Sequence, residues 1–168
     1  MEEIIVNRVA ESDLETIDLE KFFPAGEVVV FDLKDHLYME LILKEKEYRQ
    51  NLKNIDWSHY DGKNVCLTCS VDAIIPLWAF MLAMSYLEPV AKEVFLGDEK
   101  FLNDILLMRN LWKIDSSQYE GKRVVVKGCG EKPVPAIAYA EITKILRPVA
   151  KSIMYGEPCS TVPIFKKK

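Results

Sequence analysis

The sequence predicts an α/β protein with a mostly parallel sheet covered by helices on both faces. The first observation is an internal duplication, in which residues 51–97 align without gaps to residues 110–156 with 17 identical pairs in 47 positions. The second is that each copy reads as strand, helix, strand, which predicts a βαβ unit with parallel strands and a right-handed crossover. The third is that no stretch has the composition of a linker, so residues 1–168 are expected to form one domain with two repeats.

Both copies carry the same local signals in the same order. A turn containing Gly-Lys precedes a short β-branched run, which turn residues bound as they do strands. A proline then marks the start of a helix, because the first helical turn loses no hydrogen bond by lacking an N–H. A second proline ends the helix, and a short apolar strand follows. The predicted strand, helix and strand are Asn64–Thr68, Pro76 to about Leu87 and Glu93–Leu96 in the first copy, and Arg123–Lys127, Pro135 to about Leu146 and Ser152–Tyr155 in the second.

The rest of the chain adds elements around these copies. Glu27–Phe31 is a β-branched run that predicts a strand, and Met39–Leu52 has apolar residues at helical spacing. Glu99–Leu111 predicts a further helix, with Asp98 as its N-cap. Residues 1–24 fit either an edge strand or a capping box at Ser12-x-x-Glu15.

Composition and charge exclude several classes of protein. Hydrophobic residues are 49% and the net charge is −4, so no basic face for nucleic acid is expected. No apolar run reaches the roughly 18 residues that span a bilayer. The first residues lack the features of a secretory signal, and four cysteines without such a signal predict reduced thiols and a cytoplasmic location.

Three of the four cysteines follow predicted strands. Cys69, Cys129 and Cys159 would therefore meet at the carboxyl end of a common parallel sheet, where such sheets bind ligands. Their thiolates could hold a metal ion or an iron–sulfur cluster, provided that the strands are neighbours about 4.8 Å apart. The alternative is that they are small, buried hydrophobic side chains.

Polar side chains stand in the same predicted loops. Asp72 and Glu131 occupy equivalent positions before the two helices, and with Lys132 they form a candidate acid/base set. Ser160 and Thr161 could bind an anion. The alternative is structural: acidic residues favour the helix dipole, and hydroxyls cap a turn.

The first crossover helix is apolar on every side, unlike the second. A helix of this kind needs cover beyond the sheet it packs on. Either the N-terminal segment provides this cover or a second subunit does, and the sequence favours a homodimer. The candidate contacts are Trp78, Phe80, Met81, Met84 and Tyr86.

Several runs together resemble one known family. They are Ile5–Ser12, Ser70–Ala79, Lys127–Cys129 and Lys151–Pro163, and they resemble an uncharacterised bacterial family, domain-of-unknown-function family 2480. The resemblance covers nearly the whole chain. It implies gene neighbourhoods for iron–sulfur cluster assembly and a protein partner in that process, and it carries over no catalytic residue.

Two functions therefore remain open. The first is a non-enzymatic accessory or interaction protein that serves iron–sulfur or metal handling through Cys69, Cys129 and Cys159. The second is a small thiol-dependent enzyme that acts on an anionic or carbonyl substrate in the same crevice, with Cys129 or Cys159 as nucleophile.

Overall fold

The computed structural model describes residues 14–128 and 130–168, in which helices and strands alternate. The predicted α/β class and the mostly parallel pairing of the strands are confirmed. Among the described residues, no helix has both the length and the apolar character needed to cross a membrane. The strands are β1 (Leu14–Asp18), β2 (Val28–Asp32), β3 (Asn64–Thr68), β4 (Glu93–Leu96), β5 (Arg123–Lys127), β6 (Ser152–Glu157) and β7 (Ser160–Lys166), and the helices are α1 (Glu45–Asn54), α2 (Leu77–Leu87), α3 (Glu99–Leu111) and α4 (Ala136–Leu146).

The strands form two sheets rather than the single layer expected from the sequence. The first has the order β1-β5-β6-β7 and the second the order β2-β3-β4. Every pairing is parallel except that of β6 with β7. The expectation of one common sheet is wrong because each repeat pairs with its own N-terminal strand and not with the other repeat.

The chain divides into two compact units. The continuous unit is Ala25–Asn103, which holds the three-stranded sheet. The split unit joins the N-terminal segment up to Pro24 with Asp104–Lys168, and it holds the four-stranded sheet. That the whole chain is a single domain stays a prediction.

The two repeats have the same order of elements, although the last strand is longer in the second repeat. The second β-strand, helix and β-strand begin 59 residues after the first, at Arg123, Ala136 and Ser152. Hydrogen bonds between backbone groups recur as well: Lys92 N–H donates to the Lys63 carbonyl at 2.8 Å, and Lys151 N–H donates to the Lys122 carbonyl at 2.8 Å. The duplication therefore extends to the geometry of the turns that carry the repeated Gly-Lys and Pro-Val-Ala-Lys sequences.

An N-terminal strand completes each repeat in the same register. In the continuous unit, Val28 of β2 lies opposite Asn64 of β3. In the split unit, Leu14 of β1 lies opposite Arg123 of β5, which is the counterpart of Asn64. Of the two readings of the N-terminus, the edge strand is confirmed for Leu14–Asp18, whereas Ser12 lies outside the described residues.

Aspartates start the four 3₁₀ turns of the described residues. Each is an N-cap whose carboxylate accepts a hydrogen bond from the backbone N–H two residues later, as an aspartate commonly does at this position. These caps fix the chain direction where β1 and β2 end and where β3 and β5 are about to begin. The aspartates are Asp18, Asp32, Asp56 and Asp115, before the turns Leu19–Phe22, Leu33–His36, Trp57–Tyr60 and Ser116–Tyr119.

Each unit has its own hydrophobic core. In the continuous unit the core contains the buried side chains of Phe31, Tyr48 and Leu67, and the Tyr48 hydroxyl donates to the Ala79 carbonyl at 3.0 Å. In the split unit the core contains Leu111 from α3 and Ile142 from α4. Near-continuous burial along β3 and β5 is typical of central parallel strands.

Two expected elements differ from the structure. The predicted helix Met39–Leu52 is observed as α1, Glu45–Asn54, after a tight turn at Tyr38–Ile42. The loop expected at 156–161 is instead a hairpin, because β7 turns back on β6 in antiparallel pairing. The predicted cap of α3 is confirmed, since the Asp98 carboxylate accepts from the Phe101 N–H at 2.7 Å.

Candidate functional site

The carboxyl ends of three neighbouring strands in the split unit meet around one lysine. Asp18 ends β1, Lys127 ends β5 and Glu157 ends β6. The Lys127 Nζ lies 3.7 Å from Asp18 Oδ2 and 3.7 Å from Glu157 Oε2. These separations exceed a direct hydrogen bond, so the amine is held between the two carboxylates by charge attraction.

The continuous unit has different residues and contacts at the equivalent strand ends, where Asp32 lies opposite Thr68. Thr68 stands where the split unit has Lys127, so the strand position itself carries no amine, and the Lys34 Nζ instead lies 4.0 Å from Asp32 Oδ2. Asp32, the counterpart of Asp18, instead accepts backbone N–H bonds from Lys34 and Ser70, each at 3.0 Å. Burial, the largest single influence, opposes the change, but hydrogen bonds from the Ser70 side chain and from the Lys34 and Ser70 backbone, together with the charge of Lys34, lower the pKa of Asp32. The lysine between two carboxylates is therefore a property of the split unit.

The loop after β5 adds further polar groups to this end of the split unit. The Glu20 carboxylate accepts a hydrogen bond from the Gly130 N–H. The Lys132 ammonium lies over the Phe23 ring, 5.6 Å from its centroid. Glu131 is exposed to solvent. The sequence placed Glu131 and Lys132 here but missed Asp18 and Glu20, because nothing in the local pattern shows that β1 pairs with β5.

The remaining predicted polar residues lie on other elements. Asp72 is exposed and belongs to the continuous unit, whereas Glu131 follows a strand of the split unit, so the two residues do not follow strands of one common sheet. Their acid/base role stays a prediction. Ser160 and Thr161 lie in β7, opposite Glu157 and Gly156, where their backbones extend a sheet. They lie in a strand and not in a loop, because the chain reverses after only two residues. That they bind an anion stays a prediction.

The described cysteines occupy three different environments. Cys66 is buried, and this burial, with a smaller effect of Glu99 and Asp98, raises the pKa of its thiol to about 11. Cys69 is half-buried, and its Sγ donates to the Val71 carbonyl at 3.6 Å. Cys159 is exposed in the turn between β6 and β7.

The expected rim of three thiols does not exist in one sheet. Cys69 follows a strand of the continuous unit and Cys159 follows a strand of the split unit, while Cys129 lies outside the described residues. Residues 14–128 and 130–168 hold no group of three or more His, Cys, Asp or Glu side chains that could bind a metal ion. The expected rim fails at Cys69, since β3 belongs to one sheet whereas β5 and β6 are neighbours in the other.

The continuous unit instead exposes apolar side chains at a tight turn, Tyr38–Ile42, which we call the apolar turn. Tyr38 and Ile42 form an antiparallel bridge, with Tyr38 N–H donating to the Ile42 carbonyl at 2.8 Å. Leu41 N–H donates to the Tyr38 carbonyl at 3.1 Å, and the two residues between them are left-handed, with φ of 52° at Met39 and 56° at Glu40. The turn is exposed, and Met39 keeps 74% of its surface in solvent. Sequence reasoning missed this feature because it assigned the segment to a helix.

The base of the apolar turn is fixed by aromatic contacts. The Lys44 ammonium lies 3.4 Å from the centroid of the Tyr38 ring. His36, just before the turn, stacks on Phe31 with ring centroids 5.3 Å apart and meets Tyr48 edge-on at 5.7 Å. Burial lowers the pKa of His36, and the charges of Asp35 and Asp32 oppose this effect.

The helix predicted to lie at a dimer interface exposes only part of the expected set. Met81 is 72% exposed, whereas the other four predicted contacts are half-buried and pack on the core of the continuous unit. Trp78 shows why: its ring faces Tyr48 at 6.2 Å and lies under the Arg49 guanidinium at 5.4 Å. The four half-buried contacts are Trp78, Phe80, Met84 and Tyr86.

The fold and these sites together define a duplicated α/β protein. The split unit carries a charged cluster, which consists of Asp18, Lys127 and Glu157, and the continuous unit carries the apolar turn. The chain belongs to the family described as Protein of unknown function (DUF2480), whose model matches residues 3–167. A search of the curated proteins and a search of the solved structures each find no match.

Proposed function

We propose that the chain is a non-enzymatic accessory protein that acts by binding a protein partner through its continuous unit. The observation that carries the proposal is the apolar turn. Tyr38, Met39, Leu41 and Ile42 are all exposed there within five residues. A cluster of exposed apolar side chains on a folded unit is typical of an interaction surface.

The backbone of the apolar turn supports this proposal independently of its exposure. Left-handed conformation costs a residue other than glycine roughly 1–2 kcal/mol. Tight hairpin turns with two left-handed residues strongly prefer Asn-Gly or Asp-Gly at these positions, but this chain has Met39 and Glu40. An exposed Met39 in this conformation lowers the stability of the fold and contributes nothing to the core, which is expected of a residue that serves binding.

The charge of the turn indicates the chemistry of its partner. Glu40 is exposed at the tip, between apolar neighbours. A carboxylate at the tip opposes insertion into a bilayer, where a charged group is costly. It suits an apolar protein groove that carries a lysine or arginine at its far end. Because the chain resembles a family associated with iron–sulfur assembly, proteins of that process are the first partners to test.

A binding assay with purified iron–sulfur assembly proteins tests the proposal. We expect one of them to bind the wild type and to bind Leu41→Lys at least 10-fold more weakly. Ile164→Lys is the matched control, because Ile164 is an exposed apolar residue of β7 in the split unit. Equal loss of binding in both variants, or binding by none of the assembly proteins, would contradict the proposal.

The charged cluster favours a second candidate function. Lys127 places an amine between Asp18 and Glu157, where an open parallel sheet would take an anionic or carbonyl substrate. Among the described residues of the same unit, Cys159 is an exposed thiol. Titration with pyruvate and with phosphate, followed by NMR, tests this function. Shifts confined to residues 127–132 and 157–160 would support it, and their absence would remove it.

A further inference from the structure

We infer that a second copy of this chain docks on the exposed face of α2, which we call the α2 face. The α2 face consists of Leu77, Met81, Ser85 and Glu88, which are all exposed, together with Ile74 just before the helix. Ile74, Leu77 and Met81 are exposed by 93%, 79% and 72%. The inference rests on the proposal that the continuous unit acts through protein contacts, and it names one partner.

The split unit contains an internal control for this face. Its helix α4 has the same length as α2, and its counterparts at the same four positions are also exposed. They are Ala136, Ala140, Lys144 and Arg147, so an equivalent helix folds with small or charged residues there. The fold of a repeat therefore does not require apolar side chains on this face. The apolar side chains of Leu77 and Met81 are therefore best explained by a contact outside their own unit.

The spacing of the α2 face is self-complementary. Residues four apart lie on the same side of a helix. If two copies cross antiparallel with a two-fold axis beside Met81, Leu77 of one copy lies opposite Ser85 of the other. A large side chain then meets a small one, twice by symmetry, as close packing across a two-fold interface requires. The same pattern does not favour an anionic lipid surface, because α2 contains no basic residue.

The size of the α2 face predicts a weak dimer. The exposed parts of Ile74, Leu77 and Met81 amount to roughly 450 Å² per copy, so two copies would bury about 900 Å² before flanking residues are added. Stable interfaces begin at about 1,200 Å² in total, and smaller ones belong to transient complexes. Association is therefore expected to depend on concentration.

Light scattering and sedimentation of the full-length chain from about 10 µM to 500 µM test the inference. We expect the mass to rise from 19.3 kDa toward twice that value. Leu77→Ala with Met81→Ala introduces the residues that α4 has at these two positions, and this variant is expected to fold and to remain monomeric. A wild type that stays monomeric throughout, or a double variant that associates as the wild type does, would overturn the inference.

The Ser85→Leu variant distinguishes specific two-fold packing from unspecific association of an apolar patch. A larger side chain at this position collides with Leu77 of the second copy, so we expect association at least 10-fold weaker than in the wild type. An unspecific apolar patch would associate more strongly with an additional leucine, and that result would overturn the inference. Sedimentation of the wild type with phosphatidylcholine–phosphatidylglycerol vesicles would also overturn it, since a lipid surface would then be the occupant.

Failure of this inference can be told apart from failure of the proposed function. Leu41→Lys changes the apolar turn and is expected to leave the mass in solution unchanged. Leu77→Ala with Met81→Ala is expected to keep its binding to the assembly protein. A monomeric wild type that still binds that protein would remove only the dimer.

Discussion

Asp18 and Lys127 are partners in neighbouring parallel strands although 109 residues separate them in the chain. Because of this pairing, the split unit consists of two chain segments, one before and one after the continuous unit in the sequence. It also places the Lys127 amine between Asp18 and Glu157 at the end of the sheet. One long-range strand pairing thus creates both the topology and the charged cluster.

Replacing Lys127 with Met should destabilise the protein modestly. Removal of the amine leaves the Asp18 and Glu157 carboxylates without the charge between them. Since all three groups are partly exposed, we expect a loss of about 0.5–1 kcal/mol in the free energy of unfolding at low salt, and less at 1 M salt. Urea unfolding at the two salt concentrations measures this effect. Lys144→Met is the control, because Lys144 forms only a surface pair with Glu141, and an equal loss there would contradict the prediction.

An Asn-Gly sequence at positions 39 and 40 should stabilise the protein. Met39 and Glu40 are left-handed, and Asn and Gly adopt this conformation at lower cost. We therefore expect Met39→Asn with Glu40→Gly to raise the free energy of unfolding by about 1–2 kcal/mol. Urea unfolding monitored by circular dichroism checks the change. An unchanged or lower stability would show that the wild-type turn carries no strain.

The three described cysteines should differ in reactivity toward iodoacetamide. Cys159 is exposed and should react first, whereas Cys66 is buried with the pKa of its thiol raised to about 11. The thiolate is the reactive form, so Cys66 should stay unmodified until the chain unfolds. Mass spectrometry of tryptic peptides over time measures each site, with the protein in urea as the control. Labelling of Cys66 as fast as Cys159 in the native protein would contradict its burial.

The stability of the continuous unit should fall as the pH is lowered from about 7 to 5. Burial lowers the pKa of His36 in the folded state below its ordinary value of about 6.5. In this window the unfolded chain binds more protons than the folded chain, so its stability decreases with falling pH. His36→Phe keeps a ring against Phe31 and should weaken this dependence.

Comparing urea unfolding midpoints at pH 7.5 and pH 5 tests the role of His36, because the carboxylates that also titrate are common to both proteins. His59→Gln is the control, since His59 is exposed. If His36→Phe shows the full pH dependence of the wild type, another group is responsible.

Local sequence determined most of the elements in this protein. Strands Asn64–Thr68 and Arg123–Lys127, helix Leu77–Leu87 and strand Glu93–Leu96 lie where proline, glycine and β-branched residues predict them. These signals act within a few residues, through fixed φ angles, missing donors and branched side chains. The prediction of a helix is wrong for residues 39–44, because their apolar spacing resembles that of a helix although they lie in and after a tight turn.

The candidate site was predicted less well than the elements. Glu131 and Lys132 follow β5 as the sequence indicates, and their role in a site stays a prediction. The rim of Cys69, Cys129 and Cys159 requires one common sheet, which the structure does not have. Asp18 and Glu20 were not found, since nothing near them in sequence indicates their partners. A duplication predicts that two regions are alike and leaves open whether they pair with each other.

The sequence by itself therefore determined the α/β class, the repeated unit and the turns that begin and end its elements. Only the tertiary structure decided that β1 pairs with β5 and β2 with β3, which divides the strands between two sheets. The physical reason is that strand pairing uses backbone groups, which are the same in every residue, so several pairings satisfy one sequence pattern equally well. The burial of apolar side chains in two separate cores decides which of these strand pairings forms.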